Sequence, residues 1–275
     1  MLTVVDHTEP AWQARYVRKG RENGAATYSR EIVDHHVPAW AELDGDVVVG
    51  TCSPLTDCGP ADLVVQYLHT YDKADPLAIA QRVARNLRGK AGRVLFITAY
   101  RSLQLQLQTH GLDAAFVPMK IDVAATRELA GHADPADTMR AVYFGNVTPG
   151  KRAAFETLSA ALSDQGWTLD TISGQQRADA LPAVAGYRYG VGVGRCALEM
   201  QALGLRVMVC GTDFGGIVTT PAEFEVQTAT NWNARVVTYD NTVAGCLPAW
   251  DQTWTGDLDV SSAVAVVRQL VDEMR

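Results

Sequence analysis

Between Gly190 and Val209 the chain reads GVGVGRCALEMQALGLRVMV, three glycines in five residues leading into an apolar, helix-like segment with a single glutamate. Glycines at 190, 192 and 194 allow backbone torsions closed to other residues and let a bound molecule approach the main chain. A helix starting near Arg195 would point its first, unpaired N–H groups into the same space, an arrangement suited to an anion such as a phosphate. Glu199 falls about one turn into that helix. A carboxylate there accepts two hydrogen bonds, the chemistry that holds a ribose diol in dinucleotide folds. Ala197, Leu198, Met200 and Ala202 make the helix mostly buried, which disfavours a solvated acid that merely complements the helix dipole.

Two other stretches carry related chemistry. In AVYFGNVTPGKRAAF a strand ends at Gly145, a loop holds Asn146, Thr148, Pro149 and Gly150, and a helix opens with Lys151 and Arg152. A lysine at a helix start runs against the usual dipole preference and, with the helix N–H groups, suits a phosphate. In CGTDFGGIVTTPAEF the strand RVMVCG runs into a second glycine-rich loop, Gly215-Gly216, followed by Thr219 and Thr220. Ligands of open parallel sheets bind at the carboxyl ends of strands, so the loops 145–151, 190–195 and 211–220 each sit where a nucleotide could be held.

Other candidate motifs read as structural. Asp44-Gly45-Asp46 precedes a strand instead of following one and reads as a turn, not as a metal–nucleotide motif. His35 and His36 point about 100° apart on a helix, so they cannot share a metal, and they are expected at a surface or between domains. The five cysteines, Cys52, Cys58, Cys196, Cys210 and Cys246, are odd in number and lack a C-x-x-C pair, which points to reduced thiols and to no metal site.

Around these motifs, short runs rich in Val, Ile, Phe and Tyr (46–51, 62–69, 93–100, 114–119, 141–146, 167–173, 206–211 and 234–240) predict buried parallel strands. Helical patterns over 27–43, 75–89, 102–111 and 151–166 alternate with them, which implies a doubly wound α/β architecture. The polar segment 122–140, turn-forming around Asp134-Pro135, breaks the rhythm and is the expected boundary between two Rossmann-like domains, 1–138 and 139–275. The last helix, SSAVAVVRQLVDEMR, could pack on either domain.

The 275 residues suffice for two small domains, and 47% hydrophobic with 20% charged residues is an ordinary globular balance. A net charge of −7 supplies no global footprint for nucleic acid, and RYVRKGRENG (15–24) is the only dense basic run. No run approaches the roughly 18 apolar residues of a membrane span, and the first residues lack the order of a signal peptide, so a cytoplasmic protein without a membrane span is expected.

The C-terminal half resembles the donor-binding domain of GT-B glycosyltransferases, especially the retaining family-four group, over roughly 141–220. The residues that carry the likeness are Gly145-Asn146 with Lys151, Val191-Gly192-Val193-Gly194 with Glu199, Ala202-Leu203-Gly204-Leu205-Arg206-Val207, and Gly215-Gly216-Ile217-Val218. In the N-terminal half, ENGAATYSREIV resembles the glycine loop and helix that open the family's acceptor domain. QYLHTY resembles its strand-end segment with a His facing the cleft, and FVPMKID its turn before the hinge, ending at Asp122. The family arginine that grips the donor diphosphate is Asn146 here, and the first of its two glutamates, which contacts the sugar, is Val191.

The resemblance implies a GT-B fold, two Rossmann-like domains with parallel sheets facing a cleft, and transfer of a sugar from a nucleoside diphosphate sugar, a UDP-sugar being favoured, with no other cofactor or metal and with retention of configuration. His69, Lys151 and Arg195 are then the catalytic candidates. Gly145, Asn146, Lys151, Gly192, Gly194, Arg195, Glu199, Gly215, Gly216 and Thr219 are the donor-binding ones, and Gly24, Tyr28, Thr51 and Arg101 lie on the acceptor side. The acceptor is unassigned among small molecules, glycans, proteins and a modified DNA base, although the net charge does not indicate DNA. A catalytically silent nucleotide-sugar binder and a nucleotide-sugar epimerase are the alternatives.

Overall fold

The computed structural model of the chain describes residues 1–5, 24–51, 54–55, 58–68, 75–133 and 135–275. It is an α/β protein with two mainly parallel five-stranded sheets, each in its own compact unit: residues 1–119 with 260–275, and residues 120–259. Among the described residues no helix is long and apolar enough to cross a membrane.

The first unit's sheet has the order β1 (Leu2–Val5), β2 (Val47–Gly50), β3 (Ala61–Leu68), β4 (Ala91–Thr98) and β5 (Ala114–Phe116), all parallel. Strand β2 is buried at every position and β3 at all but one, as expected of strands covered on both faces. On one face Val48, Val64, Leu68 and Phe96 pack against Ala80, Val83 and Leu87, and against Leu103 and Leu107. Apart from Leu87, which caps the first of them, these come from two helices that follow α1 (Gly24–Glu31), a π-helical turn (Ile32–His36) and α2 (Val37–Trp40), namely α3 (Pro76–Asn86) and α4 (Arg101–Thr109). Helix α3 starts where it does because Asp75 caps it, accepting a hydrogen bond from the Leu77 N–H at 3.0 Å, with Pro76 in the first turn.

On the other face Tyr67 is buried and its hydroxyl takes two partners, the indole N–H of Trp40 at 3.0 Å and Nδ1 of His36 at 3.1 Å. The sequence placed both histidines at a surface or between domains. Instead, successive residues point apart, so His36 faces inward and is only 2% exposed while His35 stays partly exposed. The Asp44-Gly45-Asp46 segment is a turn with Gly45 at φ +97°.

The second unit begins with α5 (Val123–Ala130), capped by Asp122, which accepts from the Ala125 N–H at 2.8 Å. Its sheet has the order β10 (Phe214–Ile217), β9 (Arg206–Cys210), β8 (Tyr187–Gly192), β6 (Ala136–Phe144), β7 (Thr168–Ile172), parallel except for β10. Its helices are α6 (Pro149–Asp164), α7 (Arg177–Ala185), α8 (Arg195–Ala202), α9 (Pro221–Ala229) and α10 (Val243–Cys246), followed by a 3-10 turn (Leu247–Gln252). One face, with Ala141, Tyr143, Tyr189, Val191, Met208 and Cys210, packs on Leu158 and Leu162 of α6 and on Val243, Cys246 and Trp250. The last helix, α11 (Val260–Asp272), returns to the first unit and packs on α2 and the π turn.

The division therefore falls after Met119 and not after residue 138. The segment 122–140 is no polar connector: it forms α5 and the start of β6, and Arg127 of α5 donates to the Ala202 carbonyl at 2.8 Å. The predicted strand over 234–240 is also absent. That segment touches the sheet through a single bridge, Thr238 to Gly216, and bends through positive φ at Ala234 (+63°) and Tyr239 (+69°).

Two outcomes follow from this packing. Burial pulls the His36 pKa from 6.5 down to about 4, so the folded chain holds the neutral ring and the unfolded chain binds the extra proton between those values. Stability present above pH 6.5 is lost as pH falls toward 4, by on the order of 3 kcal/mol; denaturant titrations at stepped pH check this, and a His36→Gln variant flattens the slope. A Cβ on Gly216 would collide with the Thr238 carbonyl oxygen, whereas one on Gly204 meets nothing, although both sit at positive φ (+79° and +88°). Gly204→Ala is expected to cost about 1 kcal/mol and Gly216→Ala on the order of 3 kcal/mol or more in chemical denaturation.

Candidate functional site

Strand order in the second sheet reverses about β6: the chain steps to β7 on one side and then to β8 on the other. In open α/β sheets the crevice at the carboxyl ends of such a pair is where ligands bind. Here it lies between Gly145, which follows β6, and the Val193-Gly194 turn, which follows β8. The Gly145 N–H donates to the Ile172 carbonyl at 3.1 Å, and a Cβ on Gly145 would stand 3.6 Å from Cys196 Sγ, so the first turn of α8 borders the end of β6. Gly194 caps α8 at φ +59°, a conformation that favours glycine.

The first two glycines of the 190–194 stretch have another cause. Gly190 and Gly192 lie inside β8 and face α8: a Cβ at 190 would strike Met200 Sδ, and one at 192 would come within 2.7 Å of Met200 Cε and 3.1 Å of the Phe144 carbonyl oxygen. They are bare because the helix lies directly on the strand. Val191, on the opposite face, is fully buried in the apolar cluster with Tyr143 and Leu158.

Helix α6 opens at the same edge. Its first turn has no acidic residue and carries Lys151 and Arg152. Arg152 reaches Glu156 at 3.8 Å, whereas Lys151, partly buried, has no ion-pair partner among the described residues. The Lys151 ammonium acts on the thiols of Cys196 and Cys210, yet burial dominates and pushes both up to about 12. They stay protonated near neutral pH, so neither offers a thiolate nucleophile. Asn146 is exposed at the strand end.

Glu199 is 3% exposed, and its Oε1 accepts from Arg195 Nε at 2.8 Å and from Arg177 Nε at 2.7 Å. Arg177 also donates to Thr126 Oγ1 at 2.7 Å, so one carboxylate oxygen gathers guanidinium groups from α7 and α8 and ties them to α5. Charge-assisted bonds of this kind are short and fix direction.

The third stretch differs from its reading as a loop. Gly215 and Gly216 lie inside β10, where a Cβ on Gly215 would be 3.0 Å from Ala234 Cα, so both residues make room for the 234–240 segment. The Thr219 hydroxyl donates to Glu223 Oε2 at 2.9 Å beside the capping box that starts α9. The actual turn is 211–213, with the Gly211 N–H donating to the Asp213 carbonyl at 2.9 Å. Behind it, Asn231, Trp232 and Ala234 all hold positive φ, and the Trp232 carbonyl accepts from the Gly194 N–H at 2.6 Å. Asn231 Oδ1 and Trp232 Nε1 are buried without a hydrogen-bond partner in this segment.

In the first unit Gly24 opens α1, Tyr28 is buried one turn later, Thr51 follows β2 and is fully buried, and Arg101 opens α4 with its guanidinium 4.2 Å above the Phe116 ring. His69 and the basic residues of 15–23 lie outside the described residues. Among the described residues no group of three or more His, Cys, Asp or Glu side chains is placed to hold a metal ion.

Sequence reasoning missed Arg177, which lies 22 positions from Glu199 with no local pattern to link them, and Asp213, which stands out only once the strand ends are known. Glu199→Gln removes the charge that two guanidinium groups share at 4–17% side-chain exposure, and is expected to cost about 3 kcal/mol of stability, measured by denaturant unfolding. Comparison with known proteins finds no matching family model and no significant match among curated protein sequences.

Proposed function

We propose that the chain is a nucleotide-sugar-dependent glycosyltransferase of GT-B type whose second unit holds the donor. The observation that carries this reading is Lys151: a partly buried ammonium at the start of a helix, where the dipole disfavours it, without a partner among the described residues, at the edge where the strand order reverses. An anion at that point would meet Lys151 and the first N–H groups of α6 and α8 together. In the proposed reaction these groups stabilise the diphosphate as it leaves the sugar, the step at which negative charge develops. Arg195 and Arg177, held by Glu199, add fixed positive charge nearby. The first unit takes the acceptor.

A second reading, a nucleotide-sugar binder without turnover, is favoured by Asn146, which stands where the resembled family keeps its diphosphate arginine. Incubation with uridine, guanosine and adenosine diphosphate sugars, with release of free nucleoside diphosphate as the readout, separates the two. One donor is expected to be hydrolysed slowly, and Lys151→Ala should slow this at least about tenfold without lowering the melting temperature, because the amine has no ion pair to lose. Tight binding with no release for any donor favours the second reading. No thermal stabilisation by any nucleotide sinks both.

A further inference from the structure

The four parallel strand ends of the second unit open into four short turns: Gly-Asn-Val-Thr (145–148), Ser-Gly-Gln-Gln (173–176), Val-Gly (193–194) and Gly-Thr-Asp (211–213). Asp213 is the single carboxylate among them. Its turn is held in place: β9 and β10 pair antiparallel on either side of it, the Gly211 N–H donates to the Asp213 carbonyl, and the Thr212 hydroxyl donates to Asp213 Oδ2 at 3.3 Å. The turn adjoins the start of α6, with Thr212 Cγ2 4.0 Å from where a Cβ on Gly150 would stand. The Cys210 thiol beneath feels Lys151 and Asp213 with opposite sign. No ion pair joins Lys151 to Asp213.

A carboxylate next to an anion site repels the phosphate that Lys151 would attract. Its presence is favourable when the part of the ligand lying against it brings hydrogen donors. Glu199 cannot serve, being buried with Oε1 shared by two guanidinium groups, and Val191 faces the core. The geometry points to Asp213 as the acceptor for hydroxyl groups of the sugar whose diphosphate is held at Lys151, so the β9–β10 turn selects the sugar. This rests on the donor reading above.

The test is calorimetric titration of UDP, UDP-glucose and UDP-galactose into the full chain and into Asp213→Asn, with and without a chelator. The side chain is exposed, so the variant should melt at the wild-type temperature. Wild type is expected to separate the two sugars, which differ in one hydroxyl's orientation, by about tenfold or more, the effect of one hydrogen bond to a charged group. Asp213→Asn should reduce that ratio to about twofold or less and leave UDP affinity within about threefold. Equal affinity of wild type for both sugars, or a ratio retained in the variant, overturns the assignment while UDP binding keeps the donor reading. Sugar discrimination that vanishes with chelator makes Asp213 a cation ligand and overturns it also. Failure of wild type to bind UDP removes both.

Discussion

Helix α8 can lie on β8 only because positions 190 and 192 carry no side chain, and the layout of the second unit's strand-end edge depends on that contact. Met200 occupies the space where either Cβ would be. With the helix this close, its first turn reaches the end of β6, and Cys196 sits beneath Gly145. The same placement turns Glu199 toward α7, where Arg177 meets it while donating also to Thr126 of α5. A helix standing off by the thickness of one methyl group would separate its N-terminus from Lys151 and break the shared carboxylate at once, since interiors are packed too densely to absorb such a shift.

The edge is also costly to maintain. Three of the four residues 231–234 adopt left-handed torsions without being glycine, and two of their side chains bury polar atoms that find no partner. Each is unfavourable by about 1 kcal/mol or more. They persist because the surroundings hold them: the Trp232 carbonyl takes the Gly194 N–H, Gln227 donates to the Val236 carbonyl, and Trp232 stacks edge-on against Phe224 at 5.3 Å. Strain concentrated beside a candidate binding turn is where functional sites commonly keep it.

Much of this architecture was legible in the residues. Runs such as Val47–Val49 and Val207–Val209 are apolar at every position, as strands covered on both faces are, and the 151–166 helix announced itself by its helical pattern. What stayed hidden depends on contacts between distant residues. Glycines at 190, 192, 215 and 216 look alike in a sequence whether they clear space for a ligand or for Met200 and Ala234. His36 differs from His35 only in which way it points, and the link of Glu199 to Arg177 spans two elements. Asp213 gained meaning from strand order, because a lone acid becomes notable only after the other strand-end turns are known to hold none.

The first unit is interrupted in the chain: it is left after Met119 and completed only by Val260–Arg275. Helix α11 covers α2 and the π turn, the segment that carries His36 and Trp40. During vectorial synthesis the second unit, which is contiguous, has its whole complement of strands before the first has its last helix. The unit that is left after Met119 is therefore the last to close, and until then the outer side of α2 and the π turn waits for its cover.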